Sequence, residues 1–448
     1  MIPMKFLNLA HLRDLFNWSV AYHLGIEHSF SDRYPLVALV DFLSRSKNII
    51  YVKDDIVYKR VTISTIGKGV SVRDERQGKN IGTKKQYRIN SGQFLVSKID
   101  ARNGAFGVVP IEADNAIITG NFWAYDVDYN LIDPHYLALI TRTQEFTNFC
   151  ERASNGTTNR HYLQEPLFLS QQIPLPSLEE QNKIVAAFND ALAKAEQFVK
   201  KAQDIDEQVV SYWQEILGTE KLTESDIKQT GYLQFYPFRY IEKWGYDFIR
   251  KGNKNNSQAK YPIVRMIDVC NISSGGTPAR GRKEYYGGNI PWIKTGELKN
   301  EELIDTEEKI TELGLENSSA KLYPKGSLVV AMYGATIGKT AKMGVDATTN
   351  QACAVLFNIQ NSHIFTDYLW LYIQSQTNNL KSMAYGGAQP NINAGIIANY
   401  NVPLPPLDIQ NEIVAHITAL RNEQKSLQQQ ASELRLQAQQ QFEQTIFD

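Results

Sequence analysis

The chain has 448 residues, 43% of them hydrophobic, and its 47 Lys+Arg against 48 Asp+Glu leave a formal net charge of −1. That apolar share is ordinary for globular protein and too high for a disordered one, and the length accommodates roughly two to four domains. No run approaches the ~18 consecutive apolar residues of a bilayer span; the opening MIPMKFLNLAHLRDLF alternates apolar with polar residues instead of presenting a signal-peptide core, so a cytoplasmic protein without a membrane partner is expected.

Cys150, Cys270 and Cys353 lie far apart without a CxxC pair, which fits a reducing compartment and argues against a disulfide framework or a zinc site. The closest histidines, His23 and His28, lack acidic or cysteine companions at ligand spacing, so no metal is expected. A net charge near zero disfavours a nucleic-acid partner at first sight. The distribution reverses that. Residues 45–102 carry 14 Lys/Arg against 5 Asp/Glu, and residues 239–299 carry 12 against 5. Residues 177–217 carry 4 against 8, and 301–316 are more acidic still. Basic blocks set between acidic ones are expected where only some surfaces face phosphates, although solvated loops with chance clustering give the same pattern.

In chain order, YKRVTIST (58–65) and QFLVSKI (93–99) mix β-branched and aromatic residues between Gly and Asn turns and read as strands. A helix follows near 134–149, opened by Asp133-Pro134 as an N-cap signal. The PLP at 174–176 blocks backward extension of the next helix, and Ser177 and Glu180 stand at capping-box spacing. Apolar residues then step by four and three through Ile184, Phe188, Ala191, Ala195, Phe198, Ala202, Ile205, Val209, Tyr212 and Ile216, the seam of a left-handed coiled coil. A helix over about 178–217 is on the order of 60 Å long. SLVVAMY (327–333) reads as a further strand, and Thr366 opens a helix near 366–382. The last helix takes Asp408 as its cap and runs its seam through Ile413, Ile417, Leu420, Leu427, Ala431, Leu434 and Ala438, with Gln424 and Gln441 interrupting it.

The chain is written twice. IPLPSLEEQNKIVAAF (173–188) aligns without gaps on VPLPPLDIQNEIVAHI (402–417), with nine of sixteen positions identical. Upstream, YPLVALVD (34–41) matches YPIVRMID (261–268), Trp18 falls opposite Trp244, and DPHYLALITRTQ (133–144) echoes TDYLWLYIQSQ (366–376). Each half is thus a strand-rich globular unit followed by a helix. The expected fold is α/β (α+β): two similar domains joined by two long helices that form an antiparallel coiled coil, a pseudo-twofold internal repeat. The globular domains are placed at 1–160 and 219–385, the helical regions at 161–218 and 386–448. Pairing lets each seam bury the other; two amphipathic helices, each lying on its own domain, are the alternative.

Three motifs imitate enzyme sites, and each lacks a part. GATIGKT (334–340) has three residues between its first Gly and the Gly-Lys where a P-loop needs four, so a tight turn presenting Thr336 and Lys339 is expected. DPHY (133–136) approaches an amino-methyltransferase motif without a Gly-rich loop to hold a methyl donor; a helix cap at Asp133 and a core Tyr136 account for it. Asp100 follows a strand but has no acidic-x-Lys companion for metal-assisted phosphodiester cleavage. The chain reads as a binding protein.

In order and duplication, these features resemble the specificity subunits of type I restriction–modification enzymes. PLPSLEEQNKI (174–184) and PLPPLDIQNEI (403–413) are similar to the motif that opens each helical region of that family. SGGTPARGRKEYYGGNIPWIKTGEL (274–298), YGATIGK (333–339) and the segment 67–110 are similar to its recognition-domain patterns. Ile409 in place of a Glu, and a two-residue difference in the runs from Gly156 and Gly387 to each PLP, are the departures. The resemblance implies a non-catalytic chain that reads double-stranded DNA. It also implies two methyltransferase (modification) subunits docked around the helices and ATP-driven restriction subunits, with S-adenosylmethionine, ATP and Mg on those partners and no cofactor on this chain. A stand-alone two-domain DNA-binding or bridging protein is the alternative.

Base discrimination needs donors and acceptors in the major groove. In the first domain the candidates are Arg73, Arg76, Lys84, Lys85, Lys98, Arg102 and Asn103. In the second they are Thr277, Arg280, Lys283, Lys294, Thr336 and Lys339, with Tyr285, Tyr286 and Trp292 framing the loop.

Overall fold

The computed structural model describes residues 33–65, 69–155, 161–218, 260–385 and 390–447. Trp18, Trp244, Gly156 and Gly387 lie outside the described residues, as do Gly67 and Lys68 of the first basic block. The chain divides into two units, one holding residues up to Phe198 together with Gln429 onward, the other Val199–Gln428. These boundaries run through the long helices and differ from the segmentation at 160/161, 218/219 and 385/386. Residues 161–177 belong to the first globular body, and each unit takes one half of each helix.

The first unit contains β1 (Leu36–Ala38), β2 (Leu43–Ser46), β3 (Ile49–Tyr51), β4 (Val57–Ser64), β5 (Gly69–Gln77) and β6 (Lys85–Arg88). It continues with β7 (Phe94–Ser97), β8 (Phe106–Val108), β9 (Ile117–Ile118), β10 (Phe122–Val127), α1 (Pro134–Ile140) and α2 (Gln144–Arg152). Then come β11 (Ser154–Asn155), β12 (Tyr162–Leu163), α3 (Glu165–Ser170), β13 (Gln172–Pro174) and the helix α4 (Leu178–Leu217). An antiparallel sheet in the order β2-β10-β7-β8 forms the frame, and a second sheet, β3-β6-β9-β4-β5, is annexed to it. The alternation of β7 and β10 explains the layering. Phe94, Val96, Trp123 and Tyr125 face the helical core with Tyr136, Phe146 and Phe168, while Leu95 and Ala124 face the annex and meet Val61 and Ile63. Each buried Val, Leu, Ile or Phe among them contributes about 1.5–3 kcal/mol.

The second unit contains β14 (Ile263–Arg265), β15 (Asn271–Ser274), β16 (Tyr286–Ile293), β17 (Glu301–Leu303), β18 (Lys309–Ile310) and α5 (Glu312–Glu316). It continues with β19 (Leu328–Ala331), β20 (Thr340–Met343), β21 (Thr348–Thr349), β22 (Cys353–Phe357), α6 (Thr366–Ser375), α7 (Thr377–Ser382), α8 (Ala394–Ala398), β23 (Asn401–Pro403) and α9 (Leu407–Phe447). Its frame, β15-β22-β19-β20-β17, repeats that of the first unit and adds the parallel strand β17, while its annex among the described residues has three strands, β18-β16-β21. β1 pairs with β13 as β14 pairs with β23. Tyr136 donates to the Pro174 carbonyl at 3.0 Å, and Tyr368 to that of Pro403 at 2.8 Å.

Two motif glutamines complete the repeat. Gln181, fully buried, donates to the carbonyls of Leu131 (3.0 Å) and Pro176 (2.9 Å) and accepts from the Asp133 amide (2.8 Å). Gln410, also fully buried, donates to His363 (2.9 Å) and Pro405 (2.8 Å) and accepts from the Phe365 amide (2.8 Å). Each ties the start of one long helix to the entry of the short helix beside it.

Several expected details are corrected. The single helices near 134–149 and 366–382 are each two helices. Thr143 caps α2 by accepting from the Phe146 amide, and the second break falls at Gln376. Thr366 is the first helical residue of α6, not its cap. Half of the box at Ser177 forms, with the Glu180 amide donating to its hydroxyl. The Glu180 carboxylate turns away to accept from Tyr34 (2.7 Å) and Arg33 (3.2 Å). Asp408 lies inside the first turn of α9, where its charge suits the helix dipole. Ile409, in the position of Glu180, packs on the apolar core of the second unit.

α4 and α9 pair antiparallel within each unit. In the first unit Phe188 and Phe442 meet with ring centroids 6.4 Å apart, and Ile184 packs beside them. In the second, Ile205, Val209, Ile413 and Ile417 are buried together, Leu420 and Leu427 pack on them, and Tyr212 lies 4.2 Å from the His416 ring. Phe198 and Leu434 are half-buried. The two proposed packings coexist, since in each unit the seam residues share one cluster with that unit's frame. The seam also runs further than expected. Gln424 belongs to it, donating to the Ala202 carbonyl (2.8 Å) and to Asp206 (2.9 Å), while Gln441 is exposed and Phe442 and Ile446 take over the buried face. No helix among the described residues is long and apolar enough to cross a membrane.

Candidate nucleic-acid interface

The two frames present a hairpin turn at the same place. Residues 98–105 join β7 to β8, and 332–339 join β19 to β20. Each holds one turn of 3-10 helix, at Ala101–Asn103 and Gly334–Thr336, and each ends on a glycine in the left-handed region, Gly104 at φ 74° and Gly338 at φ 78°. A Cβ on Gly338 would sit 3.0 Å from the Thr377 Cα, so both backbone and space demand glycine there. GATIGKT is therefore an antiparallel hairpin turn. The correspondence sets Arg102 against Thr336 and Lys98 against Met332. The two turns, DARNG and GATIG, share only Ala and Gly, which hides their equivalence from sequence comparison.

Lys98 lies with Nζ 5.4 Å from the Trp123 ring, and Arg45 stands over the same ring at 5.5 Å. Burial, then the charge of Arg45, pulls the Lys98 ammonium below the usual lysine range. Arg45 donates to Glu165 at 2.9 Å, as does the Tyr125 hydroxyl at 3.0 Å. The second frame has apolar Ile272, Ala354, Leu356 and Met332 in the matching strand positions. Arg45 and Glu165 were not among the candidates, because nothing local in sequence marks them.

In the first annex, Arg60 and Val61 of β4 face Asp74 and Val72 of β5, leaving Arg73 as the extra residue of a β-bulge, a device that re-aims a side chain. Arg60 grips Asp74 at 2.7 and 2.5 Å and Arg76 stands 3.8 Å away, which holds the Asp74 carboxyl below its usual range. Lys84 donates to Asp54 (2.5 Å) and to the Gly78 carbonyl (2.9 Å). Arg73, Lys85 and Asn103 are exposed and Arg102 is half-buried; Arg73, Lys85 and Arg102 form no ion pair among the described residues.

In the second annex, the structure gathers Thr277, Arg280, Tyr286, Trp292 and Lys294 but assigns them unequal parts. Trp292 is 1% exposed and its indole N–H donates to the Gly276 carbonyl at 3.0 Å. Tyr286 donates to the Pro278 carbonyl at 2.5 Å, and Thr277 donates to Gln351. The assignment of Trp292 to DNA contact is corrected on this ground, since its one donor is committed to the 275–280 loop; the hydroxyl hydrogens of Tyr286 and Thr277 brace the same loop. Arg280 lies 4.8 Å from the Tyr286 ring and 4.7 Å from that of Trp292, and forks onto Glu308 at 3.0 and 3.1 Å. Lys294 reaches Glu307 (3.4 Å) and Glu308 (3.5 Å). Thr336 donates to the Tyr333 carbonyl at 2.9 Å. Lys283 and Lys339 are exposed and form no ion pair among the described residues. The acidic block after residue 300 thus supplies partners to the basic block before it.

A family model described as the type I restriction modification DNA specificity domain matches residues 41–203 and 241–435. The chain belongs to this family. Each unit holds most of one matched segment, and the function of the chain is DNA sequence recognition in type I restriction–modification. The MjaIX specificity subunit of Methanocaldococcus jannaschii is 28% identical over 158 residues, which span 34% of this chain and 36% of that relative. The HindI specificity subunit of Haemophilus influenzae is 22% identical over 360 residues, 72% of this chain and 78% of the relative. A chain solved in work on complex assembly and conformational transition of the type I R-M system shares the fold, with a TM-score of 0.60 at 18% identity over 92% of this chain and 96% of that one.

Proposed function

We propose that this specificity subunit reads a bipartite, asymmetric site on double-stranded DNA, one half-site per unit, and has no catalytic activity of its own. The observation that carries the reading is the pair of frames with equivalent hairpin turns and unlike side chains, half-buried Arg102 and exposed Asn103 in one, half-buried Thr336 and exposed Lys339 in the other. Equal frames with unequal donors suit two unlike half-sites, because donors and acceptors at base edges discriminate sequence while phosphate contacts only fix position. The helices α4 and α9 would carry two methyltransferase subunits, with ATP-dependent restriction subunits joining outside them. S-adenosylmethionine, ATP and Mg belong to those partners, and the assembly works in the cytoplasm.

The test is methylation profiling of DNA from cells expressing this chain with its methyltransferase partner. The expected result is one interrupted, non-palindromic motif that disappears when the chain is removed. A palindromic motif, or turnover of S-adenosylmethionine or ATP by the purified chain alone, overturns the proposal.

A further inference from the structure

We propose that Glu308 is a specificity-determining residue, an internal stand-in for phosphate that keeps Arg280 and Lys294 from gripping DNA of the wrong sequence. This rests on the DNA-reading function above and concerns the second unit alone.

Arg280 is 54% exposed and Glu308 37%, and an ion pair that open adds little to stability. Its geometry nevertheless resembles a built site. The guanidinium lies against two rings, Tyr286 and Trp292, themselves edge-to-face at 5.9 Å. Each terminal nitrogen donates to one carboxylate oxygen. The carboxylate is carried on a fixed backbone, since the Glu308 carbonyl accepts from the Trp292 amide at 3.1 Å and from the Thr306 hydroxyl at 2.6 Å. Glu297 braces the same stretch, accepting from the Lys294 amide (2.8 Å) and the Glu307 amide (2.9 Å). The charged groups of the cluster are Arg280 and Lys294 against Glu297, Glu307 and Glu308.

The two donors that Arg280 gives to Glu308 are those a guanidinium would offer to the O6 and N7 of guanine. A phosphate can also take the fork bidentately, so the carboxylate sets a cost that every duplex meets, and a guanine edge held opposite Arg280 by the other contacts of a matched site supplies two bonds that a mismatched site lacks. Lys294, within 3.5 Å of Glu308, keeps that carboxylate partnered once Arg280 has left it. The cost of opening the pair is therefore recovered at the right base and not elsewhere.

Glu308→Gln tests this on the full chain, by fluorescence anisotropy against a scrambled 40-bp duplex and a duplex carrying the profiled site, between 50 and 300 mM KCl. Each cation released to a phosphate steepens the plot of log K against log salt by about 0.9. The variant should bind the scrambled duplex about tenfold more tightly at the lowest salt, with a slope steeper by about one to two, and should lose preference at the second half-site only. Glu308→Asp, which can keep the pair, should behave as the unaltered chain. An unchanged slope, or weaker binding of the scrambled duplex by a folded variant, overturns the inference. If Glu308→Gln misfolds, Arg280→Ala decides: a guanidinium held on Glu308 adds nothing to the grip on scrambled DNA, so the slope there should be unaltered while preference at the second half-site is lost, and a slope shallower by about 0.9 overturns the inference equally. An unaltered chain that cannot tell the profiled site from the scrambled duplex sinks the DNA-reading proposal instead.

Discussion

Replacing Gln181 by Ala removes a side chain that satisfies three backbone groups at once, the carbonyls of Leu131 and Pro176 and the amide of Asp133. Each such bond is worth about 0.5–1.5 kcal/mol net, and a buried group left without a partner costs about 1–3 kcal/mol. The Pro176 bond is buried and the other two are partly so, which puts the loss at about 3 kcal/mol. Because the bonds fix the entry to α1, the loss should appear first as local opening there. Hydrogen exchange on the intact chain, read by mass spectrometry on peptides covering 131–140, is expected to accelerate about a hundredfold, at 1.4 kcal/mol per decade. Gln410→Ala should do the same to α6, since Phe365, His363 and Pro405 stand in the same relation to it. The local reading avoids assuming that a chain of several units unfolds in one step. Acceleration under threefold at both sites would show that the glutamines are spectators, and that apolar packing alone positions the short helices.

Arg102→Ala is expected to cost about 1–3 kcal/mol in binding and to relax discrimination within the first half-site, if that guanidinium reads a guanine; an unchanged isotherm on the profiled duplex removes it as a reader. Gly338→Ala forces a side chain into the left-handed region 3.0 Å from the Thr377 Cα, and should lower stability by about 1–3 kcal/mol while weakening discrimination in the second half-site, measured by melting and by competition binding. Seven residues added after Val199, with a matched seven in α9, lengthen each helix by ~10 Å, about three base pairs of duplex. Methylation profiling should then find a longer spacer, and an unaltered spacer rules out the helices as its measure.

The repeat and the long helices were legible because their signals are dense and local. The PLP motif returns with nine identities in sixteen positions, and the seam keeps its period over most of α4. The breaks at Thr143 and Gln376 were not legible, because apolar periodicity runs through both and only the hydroxyl of Thr143, turned back on Phe146, interrupts the first. Glu180 stood at the right spacing for a capping box, but Tyr34, 146 residues earlier, claims its carboxylate. The basic blocks marked stretches of the annexes and turns and said nothing about which of their cations are paired. Arg280 and Glu308 are 28 residues apart, and Trp292, a good candidate by composition, is a core residue whose indole N–H is already used.

A net charge of −1 is consistent with DNA reading once the pairing of the cations is considered. Arg76, Lys84, Arg280 and Lys294 sit near carboxylates, while Arg73, Lys85, Arg102, Lys283 and Lys339 form no ion pair among the described residues. If every one of the latter five met a phosphate, affinity for arbitrary duplex would fall by about 500-fold between 50 and 200 mM salt; nine free cations would raise that to nearly 10⁵-fold. The larger figure belongs to a protein that grips any DNA strongly at low salt. A specificity subunit is selected for a ratio between one site and a great excess of others, and phosphate contacts add equally to both sides of that ratio. Carboxylates that occupy cations until a base edge replaces them lower one side and leave the other nearly untouched. On this account the acidic residues near the recognition loops are part of the reading apparatus.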